Sequence, residues 1–229
     1  MKFLDVCGPP GSGKSTICDP IYSPHAIEYE GVSTFDAHWH PFLDVVNKLL
    51  HAVKDHQHPI TGRKTIDDVW RMVWRSLRKI AVVESLIEIE GDVYVQTALA
   101  QRGLGFGWRL HDLGKVELIA DFFRTMPVSL GVVLADAPDE VIIARNRERL
   151  NHQETAHENR DFMVPRMRPA IEIMKEVFSE RGINFCSIDT TQPVEDSQRS
   201  VGDCIAEFSG DKKTVRPRGQ IQSVSLSSL

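Results

Sequence analysis

Hydrophobic and polar positions along this chain switch repeatedly between a period of two and a period near 3.6. Residues 2–7 (KFLDVC) are a short, mostly apolar run of strand length, and residues 128–136 (VSLGVVLAD) form the clearest buried-strand signal. Shorter strand-like runs occur at 26–33, 85–91 and 183–188. Between them the apolar spacing becomes helical, over 42–50, 66–83, 93–101, 112–125, 139–150, 165–181 and 193–208. Gly103, Gly105 and Gly107 break the pattern between two of these helices, and Gly182 stops another. Strands alternating with helices predict an α/β fold: a mostly parallel sheet covered on both faces, in one domain over residues 1–208. Residues 209–229, rich in Ser, Lys, Arg and Gln, read as a flexible tail. Sheets of this kind bind ligands at the carboxyl ends of their strands, which puts Gly8, Asp36, Glu90 and Asp136 along one rim.

At 229 residues the chain is long enough for a sizeable core, and its 41% hydrophobic and 26% charged residues are ordinary for a globular protein. A net charge of -5 argues against a protein that coats nucleic acid nonspecifically. No apolar run approaches the ~20 residues of a membrane span, and the first residues carry no signal-peptide pattern, so a cytoplasmic location is expected. Cys7, Cys18, Cys186 and Cys204 show no C-x-x-C and no metal spacing, and are expected to be buried thiols in a reducing compartment.

Chemistry enters directly after the first strand, at Gly8-Pro9-Pro10-Gly11-Ser12-Gly13-Lys14-Ser15-Thr16, which fits G-x-x-x-x-G-K-[ST]. The glycines allow backbone conformations that a Cβ forbids, so successive N–H groups can turn toward phosphate oxygens. Helix after strand adds the unpaired donors of a helix start. Lys14 would reach the β- and γ-phosphates of ATP, and the Ser15 hydroxyl would take a place on Mg²⁺. Pro20 removes an N–H in the second turn of the helix that follows, so that helix is expected to be short or kinked.

The phosphate loop, the strand ending in Glu90-Gly91 with Gln96 and Arg102 after it, and an arginine-rich segment between the fourth strand and the last helices together resemble the P-loop kinases. The branch is similar to nucleoside and nucleotide kinases. The resemblance implies a three-layer αβα sandwich with a five-stranded, mostly parallel sheet, ATP with Mg²⁺, and a mobile lid whose arginines close over the phosphates. The lid would span about 145–168 and carry Arg145, Arg147, Arg149, Arg160, Arg166 and Arg168. Arg145 and Arg149 share a helix face and are the first candidates for phosphate contact. The acceptor would be a nucleoside- or nucleotide-like molecule. Asp36, within Asp36-Ala37-His38-Trp39-His40-Pro41, is the candidate base, with Glu30 behind it. Glu90 would hold Mg²⁺, through water, or the acceptor. The Asp-Arg pair found there in nucleoside and thymidylate kinases is replaced by Glu90-Gly91-Asp92.

Residues 63–79 hold six Lys/Arg against two Asp, with Trp70 and Trp74 at helical spacing. This basic helix is either a solvated face or a surface for a phosphorylated acceptor, a nucleotide or DNA. Phage-type kinases acting on hydroxymethylated pyrimidines such as 5-hydroxymethyluracil in DNA are the alternative within the same resemblance. A P-loop NTPase switch without an acceptor is a further alternative; it calls for a strand ending in hydrophobic-hydrophobic-Asp with a water-positioning residue, plus a sensor or signature segment. The sequence does not set the oligomeric state.

Overall fold

The strand Lys2–Cys7 (β1) is the sheet's inner reference, taking a parallel partner on each side. The computed structural model describes residues 2–18, 40–57, 62, 64, 66, 70, 71, 73, 74, 93–96, 99–128, 130–151 and 161–210. On one side β1 pairs with Val93–Gln96 (β2), Phe3 against Tyr94; on the other with Gly131–Asp136 (β3), Asp5 against Val132. Phe185–Asp189 (β4) adds to the outer edge of β3, Val133 against Cys186. The order among described strands is β2-β1-β3-β4, all parallel. The strands expected at 26–33 and 85–91 lie outside the described residues, as does the tail from 211 onward.

The helices are Lys14–Cys18 (α1), His40–Val53 (α2), Leu99–Asp112 (α3), Ile119–Thr125 (α4), Asp139–Asn151 (α5), Met163–Glu180 (α6) and Val194–Ser209 (α7). Residues 19–39 lie outside the described set, so Pro20 does too.

Three sequence expectations are corrected. Residues 93–96 are strand, not the start of a helix over 93–101: Val-Tyr-Val is β-branched and aromatic, and pairing with β1 takes it. The glycines at 103, 105 and 107 do not break a helix but lie inside α3. A Cβ at Gly103 would overlap the Phe123 ring, and one at Gly107 would overlap the Ala170 methyl. The helix cost of each glycine, about 1 kcal/mol, is offset by the close approach of α4 and α6. The helix expected over 112–125 begins only at Ile119, because the chain reverses at Gly114 (φ 65°) and makes a 3₁₀ turn at Val116–Leu118.

Alternate strand residues feed two cores, as a sheet covered on both faces requires. Cys7, Val132 and Leu134 face a large aromatic core with Phe42, Phe106, Trp108, Phe122, Phe123 and Phe178. Leu4, Val6, Val133 and Ala135 face a thinner one with Ile17, Val201 and Ile205. Phe122 stands edge-on to both Phe42 (5.0 Å between centroids) and Phe123 (5.7 Å), and each such ring contributes roughly 1.5–3 kcal/mol by burial.

Cys7 and Cys18 are buried free thiols, as expected. Burial pushes the Cys18 thiol up to about 12, against the opposing pull of Lys14. Cys186 on β4 and Cys204 on α7 correct the expectation of four thiols, since they are joined as a disulfide. None of the described helices is long and apolar enough to cross a membrane.

Candidate active site

The chain leaves β1 at the carboxyl edge of the sheet and turns through Gly8, Gly11 and Gly13, with φ of 146°, 85° and 88°. L-residues with side chains rarely adopt such values, so these positions call for glycine. The site lies beside the carboxyl end of β1, between its parallel neighbours β2 and β3, the end of the strands at which α/β sheets take ligands.

Four parts of the molecule hold the loop. Gln101 on α3 accepts the Gly8 N–H on Oε1 (3.1 Å). Asn146 on α5 donates from Nδ2 to the Pro10 carbonyl (2.9 Å). Lys14 Nζ lies back over the loop, donating to the carbonyls of Gly8 (2.9 Å) and Pro9 (2.8 Å). Gln198 on α7 donates to the Thr16 carbonyl (2.9 Å), and Ser12 N donates to the Pro9 carbonyl (3.1 Å). Beneath the loop, buried Asp5 accepts the Ala100 N–H at 2.6 Å and fixes the start of α3 to β1. The Ser12 hydroxyl is fully buried and has no hydrogen-bond partner among the described residues. An orphaned donor inside a glycine-rich loop at the start of a helix suits an anion.

Ser15 and Thr16 are exposed on the first turn of α1. The Ser15 hydroxyl is therefore open to a Mg²⁺ ion carried by a triphosphate, which needs few protein ligands because Mg²⁺ keeps several waters. Among the described residues no three His, Cys, Asp or Glu side chains cluster as a metal site. Asp136, at the end of β3 on the rim, is taken up: Arg168 grips both its oxygens (2.7 and 2.8 Å) and also reaches Asp139 at 2.7 Å.

Among the described lid arginines, Arg145 is tied to the loop through Thr190. Its guanidinium donates to the Thr190 hydroxyl (3.0 Å) and carbonyl (2.7 Å), and Thr190 in turn packs against Gly13. Arg147 pairs with Asp161 (2.8 Å), and Arg166 with Asp112 and the Phe162 carbonyl. Arg149 is a residue of α5, but its side chain lies outside the described set; so do Arg160, Glu30, Asp36, His38, Trp39 and Glu90. The structure thus brings residues 8–16 and Arg145 together and says nothing of the acceptor-side carboxylates.

Gln101, Asn146, Thr190 and Gln198 were not singled out by the sequence. Polar residues on helices at ordinary spacing look like a solvated face, and only the tertiary contact distinguishes them.

Away from the loop, His56 is buried against Trp108 (4.8 Å, edge-on) and its Nε2 lies 3.2 Å from Asp112. Burial lowers its pKa below 6.5, more than the Asp112 hydrogen bond raises it. Within the basic stretch, Trp70 and Trp74 are helical and 42% and 39% exposed, their rings 5.9 Å apart and 23° from parallel.

No protein-family model matches the chain, and no curated protein matches it either. Solved structures do. A deoxyadenosine kinase from M. mycoides with products dCMP and a flexible dCDP bound superposes with a TM-score of 0.52, covering 90% of this chain and 100% of that one at 14% identity. The same kinase with dATP bound gives 0.52 over 89% and 98%, at 13% identity. The chain shares the fold of this deoxyadenosine kinase.

Proposed function

We propose that the protein transfers the γ-phosphoryl group of ATP to a hydroxyl, or a phosphate, of a nucleoside- or nucleotide-like acceptor. The observation that carries this reading is the loop at 8–16: three glycines at positive φ, a lysine folded over them, and an orphaned buried hydroxyl at Ser12. A fold shared with a deoxyadenosine kinase supports the choice of a nucleoside-like acceptor.

In this reading the amides of Gly11, Gly13, Lys14, Ser15 and Thr16 hold the phosphates; those of Gly8 and Ser12 are committed to Gln101 and to the Pro9 carbonyl and set the loop's shape, while Pro9 and Pro10, which lack the donor, stiffen the turn. Lys14 exchanges two carbonyls for the β- and γ-phosphate oxygens. Mg²⁺, held by the Ser15 hydroxyl and through water by Glu90, would neutralise charge between the β- and γ-phosphates. The acceptor oxygen attacks the γ-phosphorus, the bond to the β-phosphate oxygen breaks, ADP departs, and Asp36 receives the hydroxyl proton. Arg145 and Arg149 stabilise charge on the equatorial oxygens. Asp136 is set aside as base or metal ligand because Arg168 occupies both its oxygens.

A second reading puts the acceptor within DNA, as a hydroxymethylated pyrimidine. It is favoured by the exposed, nearly parallel indoles of Trp70 and Trp74, flat surfaces in a stretch that also carries exposed Arg71. Labelled ATP offered with a panel of nucleosides, nucleotides and 5-hydroxymethyluracil DNA tests both. Label on a free nucleoside or nucleotide supports the first, and label on DNA alone supports the second. ATP consumed with no labelled acceptor points instead to an NTPase switch.

A further inference from the structure

Three consecutive residues of α5 reach three different places. Arg145 holds Thr190 after β4, Asn146 holds the phosphate loop, and Arg147 holds Asp161 on the return of the arginine segment. Asn146 is 6% exposed and belongs to neither hydrophobic core. Its Nδ2 bonds the Pro10 carbonyl, and its Oδ1 lies 2.5 Å from where a Cβ on Gly11 would stand. The amide therefore fills the space that the missing side chain of Gly11 leaves.

Peptide geometry gives this contact its meaning. The bond between Pro10 and Gly11 is trans, as all described bonds are, so its C=O and N–H point in opposite directions. Drawing the Pro10 carbonyl toward α5 turns the Gly11 N–H away from α5, toward the inside of the loop. Pro10 itself has no N–H to anchor it. Gly11, at φ 85°, has no side-chain barrier that would keep the peptide plane from rotating.

We propose that Asn146 is a positioning residue for the nucleotide: by holding the Pro10 carbonyl it aims the Gly11 amide at the phosphates, and it ties the loop's shape to the helix that opens the arginine segment. The inference rests on the nucleotide-binding reading of the loop. Asn146 touches no substrate and acts only through the peptide it orients.

The test is calorimetry of the full chain with Mg-ATP and, separately, with adenosine, for wild type, Asn146→Leu, Asn146→Ala and Asn146→Gln. Leucine keeps the shape and removes the donor. Glutamine restores a donor on a longer arm. The expected result is an affinity for Mg-ATP about tenfold weaker in the Leu and Ala variants. Adenosine affinity and the melting temperature without nucleotide stay close to wild type, and Gln recovers part of the loss. In turnover assays KM for ATP rises while KM for the acceptor does not. Two outcomes overturn the inference alone: Leu and Ala variants that bind Mg-ATP like wild type, or variants that lose ATP and adenosine affinity equally along with melting temperature. Wild type that takes up no purine triphosphate overturns the reading of the loop and this inference with it. If Asn146→Ala does not fold, the near-isosteric Leu variant decides.

Discussion

The phosphate loop and the arginine segment are built on opposite plans. The loop is held by neutral hydrogen bonds from Gln101, Asn146 and Gln198 on three different helices, so its shape exists before any ligand arrives. The four arginines described in the segment are all engaged with protein acceptors: Arg145 with Thr190, Arg147 with Asp161, Arg166 with Asp112, Arg168 with Asp136 and Asp139. A preformed cradle costs nothing to reorganise during reaction, whereas an arginine that serves phosphate must first leave its partner. Arg145 is the least costly to redirect, since it gives up a hydroxyl and a carbonyl. Arg168 would abandon two carboxylates side by side.

This contrast can be broken or sharpened in order of expected effect. Lys14→Ala removes the one cation folded into the loop and should lower turnover by at least ~100-fold, with little change in melting temperature, read by labelled-ATP transfer and thermal unfolding. Arg168→Ala should do the reverse, costing on the order of 1–3 kcal/mol of stability in urea titration, because Asp136 and Asp139 are left facing each other. Arg145→Ala should fall between, weakening Mg-ATP binding several-fold at nearly unchanged stability. If Arg145→Ala destabilises as much as Arg168→Ala, the two are structural alike and the contrast fails. The smallest effect is set by pH. His56 has a folded pKa below its ordinary 6.5, so on acidification through that value the unfolded chain takes up the proton first. Stability should decline from about pH 6.5 downward, levelling once the folded histidine is also protonated. His56→Gln should flatten that part of the profile in denaturant melts at successive pH values.

What the sequence made legible follows from how local the cause is. The loop could be read from residues 8–16 because each glycine answers a backbone need within the loop itself. The strand at Gly131–Asp136 was legible because burial on both faces leaves a continuous apolar run. Where the cause is distant, the reading failed. Gly103 and Gly107 looked like breakers, yet each makes room for a neighbour, the Phe123 ring or Ala170, that lies far along the chain. Val93–Gln96 looked like the lead into a helix, though its Val-Tyr-Val already favoured a strand; a place beside β1 decided the matter. Cys186 and Cys204 carried no motif, and only the packing of α7 on β4 brings them within bonding reach.

The contact of Gly107 with Ala170 has a mechanical consequence. With no side chain between them on one partner, α3 and α6 meet almost backbone to backbone, and close-packed interiors transmit strain rather than absorb it. Gln101 on α3 grips Gly8, and Arg168 on α6 grips Asp136 at the neighbouring strand end on the same rim. A tilt of α6 at the turn bearing Ala170 would therefore drag the mouth of the phosphate loop along with it, making the two helices a single lever rather than independent props.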